Sequence, residues 1–415
     1  MYIKVRITLI TLLLWLLVGI DTHAAVSLSV ENPTARQRYE VVSFAAKDIW
    51  KRLGVERGRK LVVRDMYRQE VVSQLTHDGQ LLVEAAVMPG AKAFFTVEAG
   101  SPQQYECYVD GYFSKWRADD FTWENDICAY RAYGPALQRS GEKAFGFDVW
   151  IKSTAQLDVR RRYQLHMEAC RERDELKRMG HTAEADSAFD SKSFHIDHGR
   201  GADCYNVGPS LGCGTPAVML GDSIMMPWCY KEYKILDNGP LRLTFELVYP
   251  KVKIAGADVT EHRIVSLDKG AHFNKMTVWY DGLKERVDVA GGFVVHDEKP
   301  GSLVVGRDFI AYSDPTDNPA KHNFEIYVGV LFPRGADKTA LVDDPWHKAQ
   351  GIVGNAVGVR RSVGSGEKVS YWFGASWCKS GTPDQATWLN QIRAMIDNCN
   401  NPLHTSIVAY SSAAK

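Results

Sequence analysis

The chain has 415 residues, in which 50 lysine and arginine residues balance 50 aspartate and glutamate residues. A formal charge of zero argues against the extended basic surface of a nucleic-acid-binding protein, so we expect no nucleic acid partner. The length exceeds that of a usual compact domain, which allows either one large sandwich of two β-layers or two packed domains.

The first element of the chain is an apolar run from Ile7 to Ile20, which follows the cations Lys4 and Arg6. Cations, an apolar core and then small residues are the layout of a secretory signal peptide, which we predict over residues 1–24. A retained membrane anchor is the competing interpretation, but the run is shorter than the roughly 20 residues of a spanning helix. We therefore expect a periplasmic or secreted protein with no stable membrane insertion once the signal is removed.

Most of the remaining chain shows the pattern of antiparallel β-strands. Short β-branched or aromatic runs, several of them alternating with polar residues, are separated by glycine, proline, asparagine or aspartate. We predict an all-β fold, a large antiparallel supersandwich. An N-terminal strand segment over 25–100 would pack on a main sandwich over 101–415. The candidate boundary between them lies near 98–105. The runs are "KLVVRDMY", "LLVEAAVM", "AFFTVEAG", "LRLTFELVYP", "HFNKMTVWYDG", "VDVAGGFVVH" and "FEIYVGVLFP".

One segment interrupts the strands. Over about residues 154–190 the chain is rich in helix-forming and charged residues, and Gly180 is placed to end a first helix before a second begins. We predict a helical insertion. It leads directly into the loop "FHIDHGRGADCYNVGPSLGCG" at 194–214, so it is placed to form a wall or lid over a cleft.

This loop, called the histidine loop below, concentrates ionisable groups among glycines that let a ligand approach the backbone. His195 and His198 are three residues apart, which allows a divalent metal held with a third ligand. Alternatively a histidine acts as a base that Asp203 orients, beside Tyr205. A purely structural role, with aspartates capping turns and His195 filling a polar gap, is the competing interpretation.

A second cluster lies at 116–137 and combines acids, an arginine and aromatic rings. Aromatic faces beside fixed hydrogen-bonding groups suit sugar rings, and an arginine grips a carboxylate with two donors. An ordinary core with a buried salt bridge between Glu124 and Arg131 fits equally well. The candidate substrate-binding residues, including two from outside this cluster, are Asp120, Trp123, Glu124, Arg131, Tyr133, Arg200 and Trp377.

Several familiar motifs are absent. The sequence has no G-x-S-x-G elbow, P-loop or dinucleotide fingerprint, so we expect no nucleotide cofactor. The eight cysteines show no paired zinc spacing, and in an exported chain they predict buried thiols with one or two disulfides.

An ordered series of segments resembles the bacterial family known as domain of unknown function 4861, over about residues 60–412. The resemblance implies a fold like the galactose mutarotase supersandwich, and export by bacteria that degrade uronate-rich polysaccharides. It also implies dehydratase or lyase-like enzymes of ulvan or pectin breakdown. The helical insertion and the cysteines at 128, 204 and 213 depart from the family pattern. The matching segments are "DDFTWENDICAYRAYGPAL", "FDVWIKS", "HIDHGRGADCYNVGPSLGCG", "NGPLRLTFELVY", "SLDKGAHFNKMTVWYDG", "VAGGFVVH" and "SYWFGASWCKSG".

The chemistry implied is elimination of water or a sugar from a uronate-containing oligosaccharide. It needs a base that works near neutral pH, a cation for the carboxylate and an acid for the leaving oxygen. We expect His195 or His198 as the base. The other roles fall to Asp203 as orienting carboxylate, Arg200 and Arg131 as clamps, Tyr205 or Tyr133 as acid, and His296 as a reserve acid or base.

Two alternatives stay open. A mutarotase or epimerase would use a histidine acid and a carboxylate base around the anomeric carbon, and would make no double bond. A non-catalytic binding protein would use the same tryptophans and arginines without turnover.

Overall fold

The structure is a computed structural model and describes residues 24–296, 299, 301–316 and 321–409. The predicted signal segment lies outside these residues except for Ala24. None of the described helices combines the length and apolar character needed to cross a membrane. The helices are α1 (Ala46–Leu53), α2 (Pro135–Arg139), α3 (Val159–Arg178), α4 (Thr182–Asp190) and α5 (Gln385–Asn400).

The N-terminal strands build two small sheets around their own apolar core. Their orders are β25-β1-β6-β3 and β2-β5-β4, and every pairing is antiparallel. The final strand of the chain therefore belongs to this unit, and α1 packs its apolar face against it. The strands are β1 (Ala25–Glu31), β2 (Arg38–Ala45), β3 (Leu61–Arg64), β4 (Ser73–Leu75), β5 (Gln80–Val87), β6 (Lys92–Ala99) and β25 (His404–Ala409).

The main body consists of three antiparallel sheets. A nine-stranded sheet has the order β13-β14-β16-β17-β24-β21-β20-β19, with β15 paired to β16. A five-stranded sheet, β12-β11-β18-β23-β22, packs against it, and a four-stranded sheet, β10-β9-β8-β7, adds a further layer. About 44% of the residues are in strands and 16% in helices. The predicted all-β supersandwich with a helical insertion is confirmed.

The first half of the main body, in chain order, contributes strands β7 to β15. They are β7 (Val109–Ser114), β8 (Asp120–Asn125), β9 (Ala129–Ala132), β10 (Asp148–Trp150), β11 (Cys213–Leu220), β12 (Ser223–Met225), β13 (Glu232–Asn238), β14 (Arg242–Val248) and β15 (Val252–Ile254).

The remaining strands complete the two large sheets. They are β16 (Ala257–Asp268), β17 (Phe273–Asp281), β18 (Val287–Val295), β19 (Leu303–Val305), β20 (Phe309–Asp314), β21 (Ile326–Leu331), β22 (Lys338–Asp343), β23 (Gly354–Val363) and β24 (Val369–Trp377).

Burial along the strands shows which layers enclose them. Strand β16 alternates buried and partly exposed residues, as expected of a strand with one solvated face. Strand β21 is buried at every position, since the core lies on one side and α5 packs on the other. The sandwich therefore leaves one face of β14, β16 and β17 open to solvent.

The helical insertion consists of α3 and α4, and Gly180 between them has a φ of +83°, a conformation that favours glycine. Strand β8 anchors the N-terminus of α3, because Glu124 accepts hydrogen bonds from the backbone N–H groups of Asp158 and Val159. The insertion delivers the chain into the histidine loop, as predicted.

None of the eight cysteines, all of which lie in the described residues, forms a disulfide. The expectation of one or two disulfides is therefore wrong for this structure. Burial rather than cross-linking explains several of them, since Cys128, Cys204, Cys213 and Cys229 are enclosed in the protein.

Candidate functional site

A histidine and an aspartate meet at the rim of the sandwich, where a strand of each large sheet ends. His296 directly follows β18 of the five-stranded sheet, and Asp314 is the last residue of β20 in the nine-stranded sheet. Their Nδ1 and Oδ2 atoms are 2.6 Å apart, and the side chains are only 10% and 1% exposed. Asp314 also accepts the backbone N–H of Thr316. We call His296 and Asp314 the rim pair.

The second nitrogen of the imidazole is the unusual feature of the rim pair. His296 Nε2 is buried and has no hydrogen-bond partner among the described residues. Because a carboxylate only accepts hydrogen bonds, Nδ1 donates the hydrogen to Asp314, and in the neutral imidazole the lone pair is then on Nε2. Buried polar atoms are nearly always satisfied, so the open Nε2 has room to bond a water molecule or a ligand. The Nδ1 atoms of His166 and His272 are also open, but in the described residues no aspartate orients those rings as Asp314 orients His296.

Tyr205 of the histidine loop lies beside the rim pair. Its ring is 6.0 Å from that of His296, nearly perpendicular to it, and its hydroxyl donates to the carbonyl of Gly212. Burial raises the pKa of Tyr205 well above its ordinary value, and nearby negative charge adds to this, Asp314 and Asp148 included. The phenol therefore stays protonated and can donate a hydrogen.

A second group of charges, here called the arginine cluster, consists of Arg131, Asp120, Asp148 and Asp203. The register of β9 and β10 sets Arg131 opposite Asp148, and Arg131 Nη2 lies 2.5 Å from Asp148 Oδ2 and 3.1 Å from Asp203 Oδ2. Asp120 is 3.8 Å from Nη1. Tyr133 adds its ring, 4.6 Å from the guanidinium carbon. Three acids therefore surround one buried cation.

Burial of so many acids shifts their protonation. The pKa of Asp148 is raised well above its ordinary value by burial and then by the negative charge of Asp203, against the opposing effect of Arg131. Burial likewise raises the pKa of Asp120, and Tyr163 donates its hydroxyl hydrogen to that carboxylate. In the arginine cluster, Asp148 therefore stays protonated to a higher pH than an exposed aspartate does.

The accessible edge of the arginine cluster is His195, whose side chain is 41% exposed. Its Nδ1 lies 3.3 Å from the backbone oxygen of Asp203, and Lys321 donates to the His195 carbonyl. His166 of α3 stands 5.8 Å away, ring edge to ring face. Its pKa falls to about 4, mainly through burial and then through the positive charges of His195 and Arg117, so this ring is neutral at pH 7.

The structure separates His198 and Arg200 from this edge. Both line a cavity of about 150 Å³ between α3 and the histidine loop. His198 Nε2 is 3.1 Å from the carbonyl oxygen of Ser193, and Arg200 donates to Asp158 at 2.8 Å. Arg200 is thus already paired with a carboxylate of its own chain, which contradicts its expected role as an open clamp.

Four other predicted binding residues are enclosed. Trp123 is 1% exposed and stacks on Tyr130, and Trp377 is 2% exposed and donates to the carbonyl of Asn323, so neither offers a face to a sugar. Glu124 and Asp120 are bonded within the protein. The alternative Glu124–Arg131 salt bridge is also wrong, because Glu124 pairs with Lys152 at 2.6 Å.

Arg131 itself needs a correction. The sequence predicts a clamp for a substrate carboxylate, but the protein already supplies the carboxylates, and the side chain is 5% exposed. Of the predicted site residues, the structure gathers His195, Asp203, Tyr205, Tyr133 and His296 around the rim pair and the arginine cluster. In the described residues, no three histidine, cysteine or acidic side chains converge as a metal site.

Four residues of this region escaped the sequence analysis: Arg117, Asp148, His166 and Asp314. Asp148 had a usable signal, since it is an acid inside the apolar run "FDVW". Arg117 has no ion pair in the described part of the chain, and its guanidinium lies 5.8 Å from the Phe194 ring beside His195. Nothing local distinguishes it from the exposed cations around it.

A family model with the description "Domain of unknown function (DUF4861)" matches residues 30–405. "Uncharacterized protein P7" of Formosa agariphila is 27% identical over 407 residues, covering 91% of each chain.

Two solved structures from Enterococcus faecalis are also similar. An alpha-mannosidase of strain V583 has a TM-score of 0.46 and 11% identity, covering 98% of this chain and 49% of the other. A protein in the glycosyl hydrolase family 38 has a TM-score of 0.49 and 10% identity, covering 93% and 47%. The chain therefore spans about half the length of these two structures.

Proposed function

The chain belongs to the DUF4861 family, and on that premise we propose that it is an exported enzyme that processes uronate-containing oligosaccharides by elimination. The observation that carries this proposal is the rim pair. A buried imidazole, oriented by an aspartate and open at its second nitrogen, is the arrangement of a general base. The resemblance found in the sequence supplies the substrate class.

The reaction needs a proton acceptor close to a uronate. The imidazole Nε2 of His296 takes the proton from the carbon next to the carboxylate, and the electron pair forms a carbon–carbon double bond as the neighbouring carbon–oxygen bond breaks. Asp314 keeps the imidazole oriented and stabilises the imidazolium that forms. His296 thus takes the role that the sequence gave to His195 or His198.

The leaving oxygen needs a hydrogen. Tyr205 is protonated because of its raised pKa and stands beside His296, so it is our choice for the acid. The Gly212 carbonyl holds the phenol in place and must release its hydrogen bond during the transfer.

The substrate carboxylate needs a cation as negative charge develops. Arg200 and Arg131 are occupied by carboxylates of the chain, whereas Arg117 has no ion pair in the described residues. Lys321 adds its ammonium group next to His195. We therefore assign the carboxylate to Arg117 and Lys321, which lie beside Phe194 and His195 at the accessible edge of the arginine cluster.

The test uses the mature chain from residue 25 and a panel of ulvan and pectin oligosaccharides. We expect loss of one water, or an unsaturated fragment, by mass spectrometry, with ultraviolet absorbance from the conjugated double bond. The His296→Gln variant should lower turnover by about 100-fold or more, because general base catalysis contributes about 10²- to 10⁴-fold.

The chain offers a matched control in His77, which is 2.7 Å from Asp237 and 39% exposed. His77→Gln should leave turnover unchanged. Absence of any unsaturated product across the panel would reject elimination. Exchange of anomers detected by NMR would then favour a mutarotase or epimerase, and binding without either reaction would favour a non-catalytic protein.

A further inference from the structure

A basic groove lies on the solvent side of the nine-stranded sheet, away from the core that contains the rim pair. It measures about 460 Å³. The turn after β21, the strands β23 and β24 and the end of α5 enclose it. The cations and the tryptophan that line the groove are Lys275, Arg334, Arg360, Arg361, Lys368 and Trp372, with Glu367 as the acid in its wall.

The cations of the basic groove are mostly without acidic partners. Arg360 forms an ion pair with Asp337 at 3.3 Å, and Glu367 forms one with Arg286 at 2.6 Å. Among the described residues, no carboxylate forms an ion pair with the other four cations: Lys275, Arg334, Arg361 and Lys368. Because the whole chain has a formal charge of zero, this excess is local and creates a positive potential in one concave place.

Two tryptophans accompany these cations. Strand pairing sets Lys275 opposite Trp372, with the ammonium 5.7 Å from the ring centre, and Lys368 lies 5.0 Å from the ring of Trp279. Between them, the hydroxyl groups of Thr277 and Ser370 are 2.9 Å apart on the same face. Aromatic rings, hydroxyl groups and cations side by side match the apolar faces, hydroxyls and acid groups of an anionic sugar.

We propose that the basic groove binds a segment of an anionic polysaccharide, at a site separate from the rim pair. The recognised chemistry is a sugar chain that carries carboxylates or sulfates. A nucleic acid fits less well, because its binding proteins carry an extended basic surface, whereas this chain has a pI near 7.2 and the basic groove is a single concave place of about 460 Å³. The inference stands without the proposed elimination, since it concerns binding alone.

The experiment compares two triple variants that each remove three positive charges from exposed positions. The groove variant is Arg334→Gln, Arg361→Gln and Lys368→Gln, and the control variant is Arg57→Gln, Lys60→Gln and Arg171→Gln. Binding to polygalacturonate, sulfated dextran and neutral dextran is measured by affinity electrophoresis and calorimetry, and circular dichroism verifies the fold of each variant.

We expect the groove variant to bind the polyanions about tenfold more weakly, since each exposed charge pair contributes roughly 0.2–1 kcal/mol and tenfold is about 1.4 kcal/mol. The control variant should bind like the natural chain, and neutral dextran should bind to none. Preference between polygalacturonate and sulfated dextran tells which acid group the groove recognises.

Equal losses in both triple variants would overturn the proposal, because net charge alone would then explain the binding. Duplex DNA bound as tightly as polygalacturonate would overturn it in favour of a nucleic acid. The His296→Gln variant separates this inference from the proposed function, because its turnover should fall while its binding to polygalacturonate stays unchanged.

Discussion

Two buried polar regions of this molecule differ in how completely their atoms are satisfied. Under the start of α3, Lys152 donates to Glu124 and to two backbone carbonyls, and Glu124 accepts two backbone N–H groups in return. At the rim, His296 makes one bond to Asp314 and leaves Nε2 without a partner in the described structure. Both regions are enclosed, so burial alone does not tell them apart.

The difference indicates what each region does. A buried charge that has all its hydrogen bonds holds segments of the chain together, and here it fixes the helical insertion to β8. An open nitrogen in a buried ring costs stability unless something binds there, so its presence favours a function. The contrast therefore favours a structural role for Lys152 and Glu124, and a site at His296, where an aspartate orients the ring whose nitrogen is open.

The largest effect we expect tests the structural side. Lys152→Met leaves the carboxylate of Glu124 buried without its counter-charge and should lower the free energy of unfolding by about 3–5 kcal/mol. Urea denaturation followed by circular dichroism measures it. Arg161→Gln is the control, since its side chain is 58% exposed and 3.6 Å from Asp158, and it should cost less than about 1 kcal/mol. A similar small loss for Lys152→Met would contradict the assignment.

The next effect tests the functional side. Asp314→Asn keeps the shape but replaces the acceptor of the Nδ1 hydrogen with an amide, so His296 loses its preferred tautomer and the stabilisation of its charged form. We expect kcat to fall about 10²- to 10³-fold with little change in KM. Steady-state kinetics on the oligosaccharide that the enzyme turns over measures both values.

Asp237→Asn, at the pair in which His77 is 39% exposed, is the matched control and should keep full turnover. The rim pair would prove to be structural if Asp314→Asn kept its kcat and lost only thermal stability.

The sequence predicted the layers of the fold well, because their signal is local. The alternation in β16 and the helix-forming residues of α3 can be read from neighbouring positions. It also placed His296 correctly at the end of an apolar strand. Asp314 could not be found this way, since it is 18 positions later and on another sheet, and only the stacking of the two sheets brings them together.

The tryptophans show a second limit. Trp123 and Trp377 have the same sequence signature whether a strand faces a cleft or another layer, and in this structure other layers enclose both of them. Glu124 was assigned to sugar binding because its partner, Lys152, lies 28 positions away on a segment with no pattern of its own. Pairing between buried charges depends on tertiary structure, which a single sequence does not supply.

The smallest effect concerns His166, a buried ring of α3 that packs against Phe194. Its pKa of about 4 is below the ordinary value near 6.5, so the unfolded chain binds a proton more readily than the folded protein does. The stability that the neutral His166 ring contributes is therefore fully present above pH 6.5 and is lost as the pH falls toward 4.

His166→Phe keeps the packing on Phe194, where the two rings are 3.9 Å apart, and removes the titration. Between pH 7 and 5 the natural chain should lose about 1 kcal/mol more stability than the variant, after allowance for partial solvent access. Urea unfolding at the two pH values measures this difference. Equal losses would mean that His166 accepts its proton without cost, as a ring with an open path to water does.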